Sequence, residues 1–167
     1  MGRYELNTTA REQLIGLTRS EIDSTNAEKV LEFGSGRFSI AEALCSDQIH
    51  LSCTDKFDVF SDSLRAAAVN QAIDLIPNEE IDEDCYFGRF HVVYTNFGFS
   101  GLSHLVDEVM RLRRLLLKGG KMLIVDFAEN DFQSECARQL KRCGFLNPRT
   151  EMLDLDGTPA FRISAEK

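Results

Sequence analysis

Two glycines and an acid lie close together in VLEFGSGRFSIAEAL, the stretch from Val30 to Leu44. Gly34 and Gly36 follow an apolar run typical of a buried strand, and Glu32 stands two positions before the first of them. Because glycine has no Cβ, a ligand can approach the backbone N–H groups of such a turn. A helix is expected to begin there too, and its first N–H groups would be unpaired donors for a carboxylate or a phosphate. The segment therefore predicts a ligand-binding turn.

A second acid, Asp55, comes roughly 20 residues after Gly36, at the end of the next expected strand. From that position a carboxylate can accept hydrogen bonds from both hydroxyls of a ribose, so the pair predicts a site for an adenosine-type nucleotide. The dinucleotide fingerprint would need glycine at Ser39, and no G-K-[ST] phosphate loop is present. Glu32 would repel a pyrophosphate, but it suits a ligand that carries an ammonium and a sulfonium.

The elements that must position these residues alternate along the chain. Apolar periodicity predicts strands at 29–33, 49–55, 91–97 and 121–127, and helices at 9–20, 37–44, 105–116 and 132–143. Thr9 and Glu12 match a capping box for the first helix, and Gly119-Gly120 is the expected end of the third. This order predicts an α/β domain with a doubly wound, mostly parallel sheet. Two alternating runs around Asp156-Gly157 predict a C-terminal hairpin that adds an antiparallel strand at one edge.

Residues 60–90 leave two interpretations open. SDSLRAAAVNQAIDLIP fits one long helix, or a short helix followed by a strand at 69–75, and periodicity does not choose between them. The next segment, NEEIDEDCYFG, is expected to be a charged loop.

Composition narrows the class of protein. With 167 residues, 43% of them apolar, the chain has the size of one domain, and its net charge of −8 argues against direct contact with nucleic acid or an anionic membrane. It contains neither the apolar run of a signal peptide nor a stretch near the roughly 18 apolar residues of a membrane span, so we expect a cytoplasmic protein. Its five cysteines form no C-x-x-C pair, which predicts reduced structural thiols and no metal site.

Five segments in sequence order resemble the class I S-adenosylmethionine-dependent methyltransferases, particularly the small single-domain kind. VLEFGSG is similar to the family's first motif, and LSCTD to its second. FHVVYTNFGF looks like the fourth-strand motif, EVMRLRRLLLKGGKMLIVDF like the helix, turn and fifth strand that follow, and LKRCGF like the end of the sixth helix. Each motif is common alone, but five in this order are specific. The resemblance runs from about Lys29 to Lys167.

The resemblance implies S-adenosylmethionine as the cofactor and a set of binding residues. Those residues are Glu32, Gly34, Ser35, Gly36, Asp55, Lys56, Asp74, Asn96 and Phe97. Asp55 would bind the ribose, Asp74 is the best match for a contact to the adenine amine, and Asn96 would lie near the reacting methyl group. The chain departs from the family in one of two ways: Phe38 stands where a third glycine is usual, or two residues are missing before RFS. Either departure narrows the pocket expected for the methionine carboxylate.

The leading hypothesis is a methyltransferase that acts on a small-molecule acceptor by in-line transfer. No Ser/His/Asp or Cys/His set is evident, and His104 is the best candidate for a base, but an acceptor that is already nucleophilic needs none. Two alternatives stay open: a methyltransferase-like binding module or partner subunit without turnover, and a nicotinamide-dependent oxidoreductase. The sequence names neither the acceptor nor the oligomeric state, and a homodimer is compatible with it.

The N-terminal segment, residues 1–28, precedes the cofactor-binding domain expected at 29–167. A doubly wound sheet has no standard position for an extra helix before its first strand. We therefore expect it to lie across the carboxyl ends of the strands as a lid, with packing on the flank of the sheet as the alternative.

Overall fold

A computed structural model describes residues 6–36, 38–46, 48–70, 72–100 and 102–167. Within these residues, strands and helices alternate as the sequence predicts. The strands are β1 Lys29–Phe33, β2 His50–Thr54, β3 Ile73–Leu75, β4 Phe90–Asn96, β5 Leu116–Phe127, β6 Leu146–Leu155 and β7 Thr158–Glu166. The helices are α1 Thr8–Ser24, α2 Ala41–Leu44, α3 Asp62–Val69, α4 Leu105–Leu115 and α5 Phe132–Arg142, with short 3-10 turns at Glu80–Asp82 and Asp84–Tyr86.

The seven strands form one sheet in the order β3-β2-β1-β4-β5-β7-β6. The first five run parallel, while β7 pairs antiparallel with both β5 and β6. The predicted doubly wound, mostly parallel sheet with an antiparallel C-terminal hairpin is therefore confirmed. The strand order reverses between β1 and β4, and open α/β sheets bind ligands beside such a switch point, at the carboxyl ends of the strands.

Both faces of the sheet are covered, which is why its central strands are apolar on successive residues. Val30 faces the core beneath α1, α2 and α3, whereas the next residue, Leu31, faces the core beneath α4 and α5. The five cysteines are free thiols, as the sequence predicts. In the part of the chain that the structure describes, no helix is long and apolar enough to cross a membrane.

Helix α1 packs against the sheet as part of the core. Ala10, Leu14 and Ile22 are buried on its inner face. Near the end of the helix, Glu21 forms an ion pair with Lys121 at 2.9 Å, and Lys121 lies where the main parallel pairing of β5 with β4 begins. At its other end, Asn7 contacts Asp156 in the β6–β7 turn. The helix thus runs along the sheet between the two ends of the strands, which is the alternative arrangement to the expected lid.

Three predicted boundaries are wrong. The N-cap of α1 is Asn7, whose side chain accepts the Ala10 amide at 2.9 Å, so the capping box at Thr9 does not form. Helix α2 spans only Ala41–Leu44, because Ser39 and Ile40 before it bond to the Glu32 side chain; Arg37, where the predicted helix begins, lies outside the described residues. Helix α4 ends at Leu115, and Gly119-Gly120 lies within β5.

The open region at 60–90 and the hairpin are both resolved by the structure. A short helix followed by a strand is the correct interpretation of 60–90, with the strand confined to Ile73–Leu75. Ser61 caps that helix by accepting the Leu64 amide at 3.1 Å. The hairpin turns at Asp156 and Gly157, whose φ angles of 50° and 83° are those that a two-residue turn of this kind needs.

Candidate functional site

The glycine turn and Asp55 meet at the carboxyl ends of β1 and β2. The amides of Gly34 and Ser35 donate to the Thr54 carbonyl at 2.8 and 3.1 Å, which folds the turn over the end of β2. A Cβ on Gly36 would lie 3.4 Å from Oδ2 of Asp55, so the predicted neighbours are in contact. Gly34 has a φ of +81°, which favours glycine at that position.

Local hydrogen bonds fix the orientation of the Asp55 carboxylate. Its Oδ1 accepts the backbone amides of Phe57 at 3.0 Å and Val59 at 3.3 Å, while Oδ2 faces Gly36. Among the described residues, Oδ2 has no hydrogen-bond partner. Lys56 is exposed in the same turn, and so is Phe57, at 76% of its surface. The carboxylate is thus held in place with one oxygen available beside the turn.

Glu32 lies beneath the loop that follows the glycine turn. Only 1% of its surface is exposed, and its oxygens accept the Ser39 hydroxyl and, at 3.0 Å, the Ile40 amide. The Ala41 amide is taken by the Ser39 hydroxyl at 3.3 Å. Two of the donors that were expected to be free at the start of the helix are therefore already bonded within the protein.

Burial raises the pKa of Glu32 above its ordinary value of 4.5, although the bonds from Ser39 and Ile40 oppose that rise. The strand register places Cys53 on one side of Glu32 and Tyr94 on the other. Burial, and after it the charge of Glu32, raises the pKa of both Cys53 and Tyr94 well above the ordinary values. The Tyr94 hydroxyl is close enough to Glu32 to affect the pKa of that acid, but the two groups do not form a hydrogen bond with acceptable geometry.

Asn96 ends β4 with a buried side chain that has no partner. It is 3% exposed, and neither its amide nitrogen nor its amide oxygen has a hydrogen bond among the described residues. Register pairs it with Val125 of β5, and alternation along β4 puts its side chain on the same face as Tyr94. Leaving such an amide unpaired costs about 1–3 kcal/mol, so this position favours a polar ligand that would pair with it.

Three phenylalanine rings cover the carboxyl ends of β4 and β5; we call Phe38, Phe97 and Phe127 the aromatic cap. The Phe38 and Phe97 ring centroids are 5.0 Å apart, those of Phe97 and Phe127 4.2 Å, and those of Phe38 and Phe127 6.3 Å. Phe97 has a φ of 55°, a left-handed conformation that is rare for a bulky residue. The cap therefore connects the loop after the glycine turn with the ends of β4 and β5.

Asp126, a residue that the sequence analysis did not single out, anchors the β4–α4 loop. It is fully buried, and Oδ2 accepts the amides of Phe99 at 3.0 Å and Ser100 at 2.8 Å, while Oδ1 accepts the Phe127 amide at 2.8 Å. Burial raises its pKa against these bonds. Its signal was present in the sequence, because it closes a strand with an acid just as Glu32 and Asp55 do.

The remaining predicted residues lie in different places. Ser35 is buried in the turn and donates to the Glu32 carbonyl at 3.1 Å. Asp74 is not brought to Asp55, because it pairs with His50 at 2.7 Å, at the amino end of β2. His104 is exposed and directly precedes α4, in the loop after β4. Of the predicted set, the structure thus brings together the glycine turn, Glu32, Asp55, Asn96 and Phe97.

Two other features of the described residues bear on the site. They contain no group of three or more His, Cys, Asp or Glu side chains that could hold a metal ion. A groove of about 1480 Å³ lies at the opposite, amino end of the sheet, lined among others by Arg19, Lys29 and His50. We place the candidate site at the carboxyl ends instead, because the switch point, the glycine turn and the unpaired Asn96 all lie there.

No protein-family model matches this chain, and no curated protein matches it either. Solved structures do match in fold, and many of them are class I S-adenosylmethionine-dependent methyltransferases, as the sequence motifs predict.

Three of these structures show the extent of the likeness. The 1,6-didemethyltoxoflavin N1-methyltransferase of Burkholderia thailandensis, solved with its substrate and S-adenosylhomocysteine, superposes with a TM-score of 0.75 at 15% identity, over 96% of this chain and 79% of that one. A [4+2]-cyclase gives 0.78 at 11% identity, over 100% and 85%. The trans-methyltransferase CalH, in complex with S-adenosylhomocysteine, gives 0.72 at 15% identity, over 94% and 56%. At such identities the likeness establishes the fold alone.

Proposed function

We propose that the protein is an S-adenosylmethionine-dependent methyltransferase that acts on a small-molecule acceptor. The observation that carries this proposal is the closeness of Gly36 and Asp55 at the carboxyl ends of β1 and β2, next to the β1/β4 switch point. An oriented carboxylate beside a close-approach glycine is the arrangement that a ribose diol requires. The solved methyltransferases with S-adenosylhomocysteine bound support the same ligand for this fold.

The residues fit such a ligand at two places, beside Asp55 and beside Asn96. Asp55 would accept the ribose hydroxyls through Oδ2, and Gly34 and Gly36 would let the ligand pass close to the turn. Because β1 lies between β2 and β4, the rest of the ligand would extend from Asp55 toward the unpaired amide of Asn96. Glu32 would act indirectly, because its carboxyl group holds the loop that follows the glycine turn.

The protein's contribution to methyl transfer would be mostly positional. The bound sulfonium supplies an already activated methyl group, so the chain has to align the acceptor and keep water out. The aromatic cap is suited to excluding water at the ends of β4 and β5. An acceptor that is already nucleophilic requires no base from the protein. His104, which is exposed in the loop between β4 and α4, would be dispensable in that case.

A second candidate function is a binding module that keeps the ligand site without turnover. The observation in its favour is the Phe38 ring, which packs against Phe97 just after the glycine turn. The same fold occurs in a protein named as a [4+2]-cyclase, so the fold is compatible with chemistry other than methyl transfer.

Isothermal titration tests the proposal, with S-adenosylmethionine, S-adenosylhomocysteine and NADH as separate ligands. We expect saturable binding of both sulfur ligands and none of NADH. Absence of heat with both sulfur ligands at millimolar concentration would overturn the assignment. Binding of both, followed by no methyl transfer to a panel of small amines, phenols and thiols, would favour the binding module.

A further inference from the structure

We propose that Phe38 determines how tightly the amino-acid end of the ligand binds, because its ring occupies the space which that end must enter. This inference rests on the proposed function. It assigns to Phe38 a role in affinity and ligand selection rather than in the chemistry itself.

The position of the Phe38 ring follows from its contacts. Phe38 leaves the loop two residues after Gly36, and its ring lies edge-on against Phe97 at 5.0 Å and against Phe127 at 6.3 Å. The ring therefore reaches from the β1 side of the switch point to the ends of β4 and β5. A ligand that starts at Asp55 on β2 and extends across β1 toward β4 meets this ring.

The unpaired amide of Asn96 lies on the face of the sheet that the rings cover. Strand alternation puts Asn96 on the same face as its register partner Val125, and Phe127 two residues later also faces that way. Pairing the Asn96 amide with a polar ligand group requires that group to reach the space beneath the aromatic cap. The Phe38 ring and the unpaired Asn96 amide thus lie on the same face of the sheet, at the carboxyl ends of its strands.

Of the two rings that meet at 5.0 Å, Phe38 is the one free to move. Phe97 is fixed, because its amide donates to the Val125 carbonyl at 2.8 Å and Asp126 holds the two residues after Gly98. Gly98, the next residue, packs closely on β4, because a Cβ there would lie 2.4 Å from Oγ1 of Thr95. Phe38 is only partly buried, on a loop that has not yet entered α2. Ligand binding would therefore displace the Phe38 side chain and leave Phe97 in place.

The test compares two ligands that differ only at the end in question. S-adenosylhomocysteine carries the amino acid, whereas 5′-methylthioadenosine keeps the adenosine and the sulfur but lacks it. Each is titrated into the wild type, Phe38→Gly and Phe38→Ala. If the open position of the ring is populated about a tenth of the time, affinity for the full ligand is reduced about tenfold in the wild type. Both variants should then bind S-adenosylhomocysteine about tenfold more tightly, with little change for 5′-methylthioadenosine.

Phe132→Ala is the matched control. Phe132 is also partly buried and also edge-on to another ring, Phe161 at 6.0 Å, but it packs in the core beneath the opposite face of the sheet. It should change neither affinity. Unchanged S-adenosylhomocysteine binding in both Phe38 variants, with the wild type binding it, overturns the role of Phe38 alone. Failure of every protein to bind either ligand overturns the proposed function and this inference together.

Discussion

Oε1 of Glu32 accepts a hydrogen bond from the backbone amide of Ile40 at 3.0 Å, so an acid near the end of β1 holds the residue that directly precedes α2. The loop between them contains the glycine turn and Phe38. Its shape thus depends on one buried ionisable group, whose neighbours in the sheet are a cysteine and a tyrosine. Because Glu32 and Ile40 lie on either side of the turn, a change in this bond should affect both the stability of the protein and the geometry of the candidate site.

Glu32→Gln should destabilise the protein in a pH-dependent way. The amide nitrogen cannot accept a hydrogen bond, so either Ser39 or Ile40 loses its acceptor, at a cost of about 1–3 kcal/mol. Burial raises the pKa of Glu32 above 4.5, so the native state keeps its proton where the unfolded chain has lost it. The contribution of Glu32 to stability is then full below about pH 4.5 and is lost as the pH rises through the raised pKa. The gap between wild type and variant should shrink over that range.

Urea unfolding of both proteins from pH 4 to pH 8 measures this gap. Glu28→Gln, at an exposed acid just before β1, is the control, and its unfolding free energy should follow the wild type at every pH. A gap for Glu32→Gln that widens with rising pH would contradict the sign of the pKa shift.

Asp55→Asn should weaken binding of S-adenosylhomocysteine without unfolding the protein. The amide oxygen can still accept the Phe57 and Val59 amides, so the turn keeps its shape. The amide nitrogen then takes the place of Oδ2 and cannot accept hydrogen bonds from the ribose hydroxyls, so the affinity should fall by about tenfold or more. Titration calorimetry measures the affinity, and thermal unfolding without ligand checks the fold. Asp62→Asn, in the exposed first turn of α3, should leave both unchanged; an unaltered dissociation constant for Asp55→Asn would place that residue outside the site.

Much of the fold could be predicted from local sequence patterns, because tertiary contacts do not override the structures that these patterns favour. Asp156-Gly157 predicts its turn correctly because both residues adopt the positive φ angles that this dipeptide tolerates. Gly119-Gly120 was misleading because glycine is common at two kinds of position: at the end of a helix, and in a strand where another backbone leaves no room for a side chain. A Cβ on Gly120 would lie 3.0–3.1 Å from the carbonyl oxygens of Leu117, His91 and Phe90. That crowding involves a strand nearly thirty residues away along the chain, so the pattern around the glycines could not reveal it.

The candidate site, too, could be predicted only in part from the sequence. The nearness of Gly36 and Asp55 was predictable, because the carboxyl ends of adjacent parallel strands meet at one edge of the sheet. The bonds that occupy Glu32 were not predictable, because they depend on the loop that shortens α2. Nor could the sequence place the Phe38 ring, whose position depends on side-chain packing with Phe97 and Phe127.

Gly98→Ala should destabilise the protein through a single contact. The new Cβ would lie 2.4 Å from Oγ1 of Thr95, and relieving such crowding in a buried site costs about 1–3 kcal/mol. Thr95→Ala removes that oxygen, so the cost of Gly98→Ala should largely vanish in the Thr95→Ala background. A double-mutant cycle by urea unfolding measures this coupling, and additive effects would contradict it. As a control, Gly16→Ala in α1 meets nothing within 4 Å and should stabilise by about 0.5–1 kcal/mol.

Leu14→Ala distinguishes the two arrangements expected for the N-terminal helix. Leu14 is fully buried in α1 and belongs to the core beneath that face of the sheet, so its truncation should cost about 2–5 kcal/mol by urea unfolding. Leu17→Ala, three residues later and only partly buried, should cost less. Affinity for S-adenosylhomocysteine, measured where Leu14→Ala is still folded, should equal that of the wild type, because α1 runs along the sheet and not across the strand ends. A variant with wild-type stability and weakened binding would instead identify the helix as a lid.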